Sequence, residues 1–125
     1  MKKYALLCVL MSMMSSAYAF EWVKIREDEE STVFFDAISL REASQNKMPN
    51  KIYWEKYIIP SEMRVTHIKR EIDCKNYRHR ILEGRFYDIS ETKLLAVDKE
   101  VIEWMSINKN KGVGAELCEL LLNKK

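Results

Sequence analysis

The sequence predicts an α+β fold: a single domain in which an antiparallel sheet of about six strands carries a C-terminal α-helix packed on one face and tied by a disulfide. Three observations carry that expectation. Short runs of alternating apolar and polar residues, separated by polar punctuation, fill residues 20–107, which is the period-two signature of half-buried strands. The period then lengthens, and Val113, Leu117, Cys118, Leu121 and Leu122 recur at helical spacing. Two cysteines, Cys74 and Cys118, remain once an N-terminal export signal is set aside.

That signal comes first in the chain. Lys2 and Lys3 precede the apolar stretch Tyr4 to Met14, which runs into the small-residue tail Ser15-Ser16-Ala17-Tyr18-Ala19. A positive, then apolar, then small-residue order makes a secretory signal peptide. Residues 1–19 are therefore expected to be cleaved between Ala19 and Phe20, and the rest to be exported through the Sec pathway to the periplasm or outer cell surface. The stretch is well short of the roughly 20 apolar residues that a membrane span needs, and no later segment approaches that length. Cys8 lies inside the signal behind Leu7, where a lipoprotein signal would carry a small residue.

Residues 20–125 suffice for one domain with its own core and not for two. Of 21 basic residues, all but Lys2 and Lys3 stay with the mature chain, where they balance its 19 acidic ones. Net charge is then zero, and no overall attraction to nucleic acid is expected. The distribution is uneven, with acids concentrated in residues 21–36 and bases in residues 64–85.

Within the sheet, Glu21 to Arg26 reads as the first strand, with Val23 and Ile25 on one side and Trp22 on the other. Glu27 to Ser31 reads as an exposed acidic turn and Thr32 to Asp36 as the second strand. D-A-I-S at 36–39 then reads as a turn, and the polar residues 41–51 as a loop or helical turn. Ile52 to Ile59 is the third strand, stopped by Pro60. Met63 to Cys74 and Tyr77 to Ile89 form a hairpin through Lys75-Asn76, and shorter strands follow at Lys93 to Val97 and Val101 to Ile107. Alternation places Ile68, Ile72 and Cys74 on one face of the fourth strand, with His67, Lys69, Glu71 and Asp73 on the other. Cys118 lies in the apolar stripe of the last helix, so both sulfurs point inward. Lys124 and Lys125 fall near the negative end of that helix.

An exported chain meets an oxidising compartment where a cysteine pair closes. A bridge across the 44 residues that separate Cys74 from Cys118 contributes about 4 kcal/mol in the chain-entropy treatment. The competing zinc site of Cys74, His79, Cys118 and His67 lacks ligand spacing, and a redox thiol lacks a neighbouring partner. The sequence also holds no nucleophile elbow or phosphate loop, and its closest glycines are Gly112 and Gly114. His67 and His79 have no serine or carboxylate spaced to complete a triad. The expectation is a noncatalytic protein without cofactor or metal.

The remaining functional feature is a basic hairpin, in which Arg64, Lys69, Arg70, Arg78 and Arg80 interleave with His67, Tyr77 and His79. Such a patch attracts acidic partners. The alternative is an outer face whose charges pair with Glu71, Asp73 and Glu83.

Trp22 near the mature start, "VFFDAIS" at 33–39, "KIYWEKY" at 51–57, "EIDCKNYRHRIL" at 71–82, Tyr87, "EWMSI" at 103–107 and a last helix carrying Cys118 together resemble the surface-adhesin protein E family of small exported bacterial proteins. The resemblance covers essentially all of the mature chain and implies a sheet with a disulfide-tied C-terminal helix. It departs at N-K-N-K-G, residues 108–112, where a proline-containing turn would be expected. For function it implies adhesin-type binding to a protein or glycan on the host or in the cell envelope. A periplasmic inhibitor or immunity protein that binds a hydrolase or toxin is the alternative, and an envelope protein without a dedicated ligand is a third. An exposed sheet edge leaves room for a homodimer.

Overall fold

The computed structural model describes residues 19–123; residues 1–18 of the expected leader, with Cys8, and the terminal Lys124 and Lys125 lie outside the described residues. Six strands form an antiparallel meander in chain order, β1 Trp22–Glu27, β2 Thr32–Asp36, β3 Lys51–Ile59, β4 Arg64–Asp73, β5 Arg78–Asp88 and β6 Leu94–Asp98. A two-residue seventh strand, β7 Met105–Ser106, pairs with the start of β5. Helix α1, Ala37–Gln45, follows β2, and helix α2, Val113–Asn123, closes the chain.

Helix α1 corrects the expected turn at 36–39 and takes up the first part of 41–51, where a loop or helical turn is expected; residues 46–50 stay irregular. Its start is set by Asp36, a fully buried N-cap whose carboxylate accepts from the backbone N–H of Ile38 at 3.3 Å and of Ser39 at 3.0 Å. The same side chain accepts from the Glu21 N–H at 2.8 Å, so one residue caps the helix and fixes the start of β1. The buried positions of α1 are the small Ser39 and Ala43, and small residues leave no apolar stripe to read. Val101 to Ile107 is corrected as well. Only its last part is a strand, although the Ile102 N–H still reaches the Ile81 carbonyl at 3.0 Å.

The core lies on one side of the sheet, where Phe35, Tyr53, Ile72 and Cys74 meet Leu117 and Cys118 of α2. Cys74 and Cys118 are bonded, with Cα atoms 5.3 Å apart. Cys74 sits in the β4–β5 turn, where Tyr77 adopts a positive φ of 48° and Asp73 holds Asn76 and Arg78. The helical stripe forms as read, except that Leu122 is 57% exposed.

Inside this core sits an ion pair. Glu55, 1% exposed, accepts from the Arg70 Nε at 2.8 Å and Nη2 at 3.4 Å, from the Tyr57 hydroxyl at 2.5 Å, and from the Tyr53 hydroxyl. Arg70 is 8% exposed and reaches His79 Nδ1 at 2.5 Å. Burial and the Glu55 charge push the Tyr53 and Tyr57 hydroxyls well above their ordinary value, so both stay protonated donors. Removing Arg70 would strand a buried charge, for which the cost is about 3–5 kcal/mol. Arg70→Ala should lower stability by that amount in urea titration, and a loss below about 1 kcal/mol would contradict the pairing. The Cys74→Ser/Cys118→Ser variant should lose about 4 kcal/mol in the same measurement.

Candidate functional site

On the other side of the sheet, the strand register assembles a different chemistry. Phe34 of β2, Lys56 of β3, His67 of β4 and Arg85 of β5 stand opposite one another in successive pairs, with Trp54, Lys69 and Glu83 in the next row. Phe20 and Trp22 fold over this row. Phe20 stacks on Trp22 at 4.6 Å between ring centroids and meets Trp54 and His67 edge-on at 5.6 and 5.4 Å. Lys56 Nζ lies 4.7 Å from the Phe34 centroid and 5.1 Å from that of Trp22, and pairs with Glu91 at 3.1 Å.

The arginines of β5 form the exposed part of this face. Arg78 and Arg80 stand 4.3 and 4.4 Å from the Trp104 ring centroid, and Arg85 stands 4.7 Å from that of Trp54. Each also donates its Nε to a carboxylate, Arg78 to Asp73 at 3.0 Å, Arg80 to Glu71 at 2.6 Å and Arg85 to Glu83 at 2.5 Å. These are the three acids that the alternative of a paired outer face names, so the β5 arginines are charge-matched here, each held in a fixed direction between a ring and an acid.

The basic residues singled out in the sequence divide between the two sides. Lys69, Arg78 and Arg80 share this face. Arg70 lies in the core with Glu55, and Arg64, which has the same strand parity, pairs with Glu62 at 2.5 Å and lies over Phe86. Trp54, Lys56 and Trp104 belong to the site and lie outside the hairpin that was read; Arg85 lies on it, at the opposite parity from Arg78 and Arg80. For Arg85 the reason is a bulge. Lys69 opposes Glu83 whereas Arg70 opposes Ile81, so Leu82 is the extra residue. It brings the even-numbered Arg78 and Arg80 onto the same face as the odd-numbered Arg85 and Tyr87.

His67 lies beneath the aromatic cluster, 4.5 Å from the Tyr87 centroid, with Nε2 3.1 Å from Glu91 Oε2 and Nδ1 without a partner among the described residues. Burial holds it below the ordinary value of 6.5, against the opposing pull of Glu91. Burial and then the Arg70 charge do the same to His79. Among the described residues no group of three or more His, Cys, Asp or Glu side chains is placed to hold a metal ion, and no helix is long and apolar enough to cross a membrane.

A small disulfide-stapled domain with a meander sheet and one face of fixed cations and rings has the make-up of a recognition domain. The family model described as surface-adhesin protein E matches residues 22–117. The chain belongs to that family, and the match spans all the strands, α1 and the start of α2. No curated protein and no solved structure matches the chain.

The histidine shifts give a pH dependence with a definite sign. A group whose folded pKa is depressed takes up a proton on unfolding, so stability is full above the unfolded value and falls as pH drops from about 6.5 toward the folded pKa. Asp73, held below 3.8 first by the Asn76 side chain, adds a second loss at lower pH. The urea midpoint should therefore fall between about pH 7.5 and about pH 5, with a smaller fall in His79→Gln. A midpoint unchanged across that range would contradict the histidine burial.

Proposed function

We propose that this chain is an exported, noncatalytic binding protein that contacts a host-matrix or cell-envelope macromolecule through the face carrying Lys69, Arg78, Arg80, Arg85, Trp54 and Trp104. The observation that carries this reading is the Arg78–Trp104–Arg80 cluster, in which two guanidinium groups lie against one indole on an open sheet face. Membership of the surface-adhesin protein E family supports the binding role. Preorganised arginines lose little side-chain entropy on binding and favour carboxylate, sulfate or phosphate groups.

The leader belongs to the same proposal. Residues 1–19 act as the signal peptide, and the mature chain begins at Phe20, the residue whose ring already stacks on Trp22. A homodimer is favoured by a separate observation: Leu94, Leu95, Val97, Val101, Ile102 and Met105 are all exposed along one limb beside the outer edge of β6. A strand edge without charged protection pairs readily with another chain.

The test uses the oxidised domain recovered after export. Its mass should correspond to a start at Phe20, and light scattering should give twice the monomer mass. Immobilised at low salt, it should retain an acidic matrix or envelope macromolecule. Arg78→Ala/Arg80→Ala should weaken retention by at least about tenfold, and salt should do the same. Retention unchanged in the double variant, or specific recovery of a hydrolase independent of these arginines, would overturn the reading.

A further inference from the structure

On the helix-covered side, a groove of about 770 Å³ opens between α1, α2 and the first two strands. Its volume falls within the roughly 300–1,000 Å³ typical of small-molecule sites. Val23, Ile25 and Phe35 form the floor, Leu40 lies on the α1 wall, and Leu117, Leu120 and Leu121 form the α2 wall. Phe35 and Leu117 are also core residues, 4% and 1% exposed, so the groove opens directly onto the hydrophobic interior.

Helix α2 is anchored at two points beside this opening. Cys118 is bonded to Cys74 in the β4–β5 turn, several strands away from β1. The start of the helix is pinned as well: Gly114 packs so tightly on Ile107 that an added Cβ would lie 2.8 Å from Ile107 Cγ2. Between these anchored elements the apolar surface of Val23 and Leu120 is left exposed.

The rim has both signs of charge. Arg41 stands on α1, and Glu116 and Glu119 on α2. Arg41 pairs with Glu21 at 2.9 Å and Glu116 with Arg26 at 3.5 Å, and all four side chains are well exposed. Such pairs are held weakly and can exchange partners. A fatty-acid carboxylate would suit Arg41 but face two acids, and a simple alkylammonium would suit the acids but face Arg41. A head group carrying both charges suits the whole rim. A second copy is disfavoured here because the neighbouring edge strand β1 carries Lys24, Arg26 and Glu27 and a bulge at Ile25.

We propose that this groove binds a single-chain amphiphile with a zwitterionic phosphate–ammonium head, of lysophosphatidylethanolamine chemistry. The tail lies on Val23, Ile25 and Phe35, the phosphate faces Arg41, and the ammonium faces Glu116 and Glu119. Walls of 9 and 11 helical residues are about 14 and 16 Å long, room for an acyl chain laid along the helices.

The experiment is calorimetric titration of the oxidised domain with monomeric lauroyl lysophosphatidylethanolamine, with lauric acid and dodecylamine as comparison probes. Saturable one-to-one binding is expected, tighter for the zwitterion than for either comparison probe. Leu120→Glu places a carboxylate on the apolar wall at a residue already 63% exposed, so it should fold normally and weaken binding by at least about tenfold. Ala37→Trp should fill the groove and do the same, with circular dichroism confirming the fold of both variants. Arg41→Ala should reduce the preference for the zwitterion over dodecylamine. No saturable binding, equal binding by Leu120→Glu, or dissociation of a dimer by Leu120→Glu in light scattering would overturn the proposal. The aromatic face takes no part, so Arg78→Ala/Arg80→Ala should bind the amphiphile unchanged.

Discussion

The bond between Cys74 and Cys118 ties helix α2 to the side of the sheet that forms the interior. Helix α2 has 11 residues and a short apolar stripe, too little to dock firmly through burial alone, since short helices draw their stability from packing rather than from themselves. The covalent tie holds Leu117 and Cys118 against Phe35, Tyr53 and Ile72 and completes the core on that side. The opposite side is then left to build itself from the sheet. Its rings and cations come from β3, β4 and β5, from the approach to β1, and from the limb before β7.

The two sides treat charge differently. Glu55 and Arg70 are enclosed with two tyrosine hydroxyls, and a hydrophobic pair of the same volume could match or exceed their stabilisation. Their effect is positional, because a carboxylate with four donors accepts only one packing of the surrounding rings. On the open face, Arg78, Arg80 and Arg85 remain partly solvated, each between an indole and an acid. In each pair the acid is the more enclosed partner and the guanidinium the more solvated one. The pairs fix where each cation points, which is a property useful for recognition rather than for folding.

Much of this was legible in the sequence, and the rest was hidden for definable reasons. Period-two alternation located β1 to β5 within a residue or two, the final helix had its own spacing, and the cysteines were read as a pair from the expected compartment alone. Helix α1 was hidden because it buries Ser39 and Ala43 instead of a stripe of large apolar residues, and because the Asp36 cap looks like a turn residue until its partners are known. The basic hairpin was only half legible. Parity alone sends Arg70 to the same face as Ile68 and Ile72, but nothing local announces the bulge at Leu82 that joins Arg78 and Arg80 to Arg85. Trp104 could not be assigned either, since residues 101–104 lie outside any strand and reach the arginines through one loop contact, the Ile102 N–H to Ile81.

The two edges of the sheet suggest how the surfaces divide their work. At one end, β1 carries Lys24, Arg26 and Glu27 and is kinked at Ile25, a combination that keeps other strands away. At the other, Leu94, Leu95, Ala96 and Val97 run without a charge until Asp98, and every residue of β6 is exposed. Leu95 is itself an extra residue against β5, because Phe86 opposes Ala96 while Tyr87 opposes Leu94. The proposed homodimer rests on this uncharged apolar edge, and β5 joins it, four residues further along, to the strand end that carries Arg78 and Arg80. Association along β6 would therefore extend the cationic face instead of covering it.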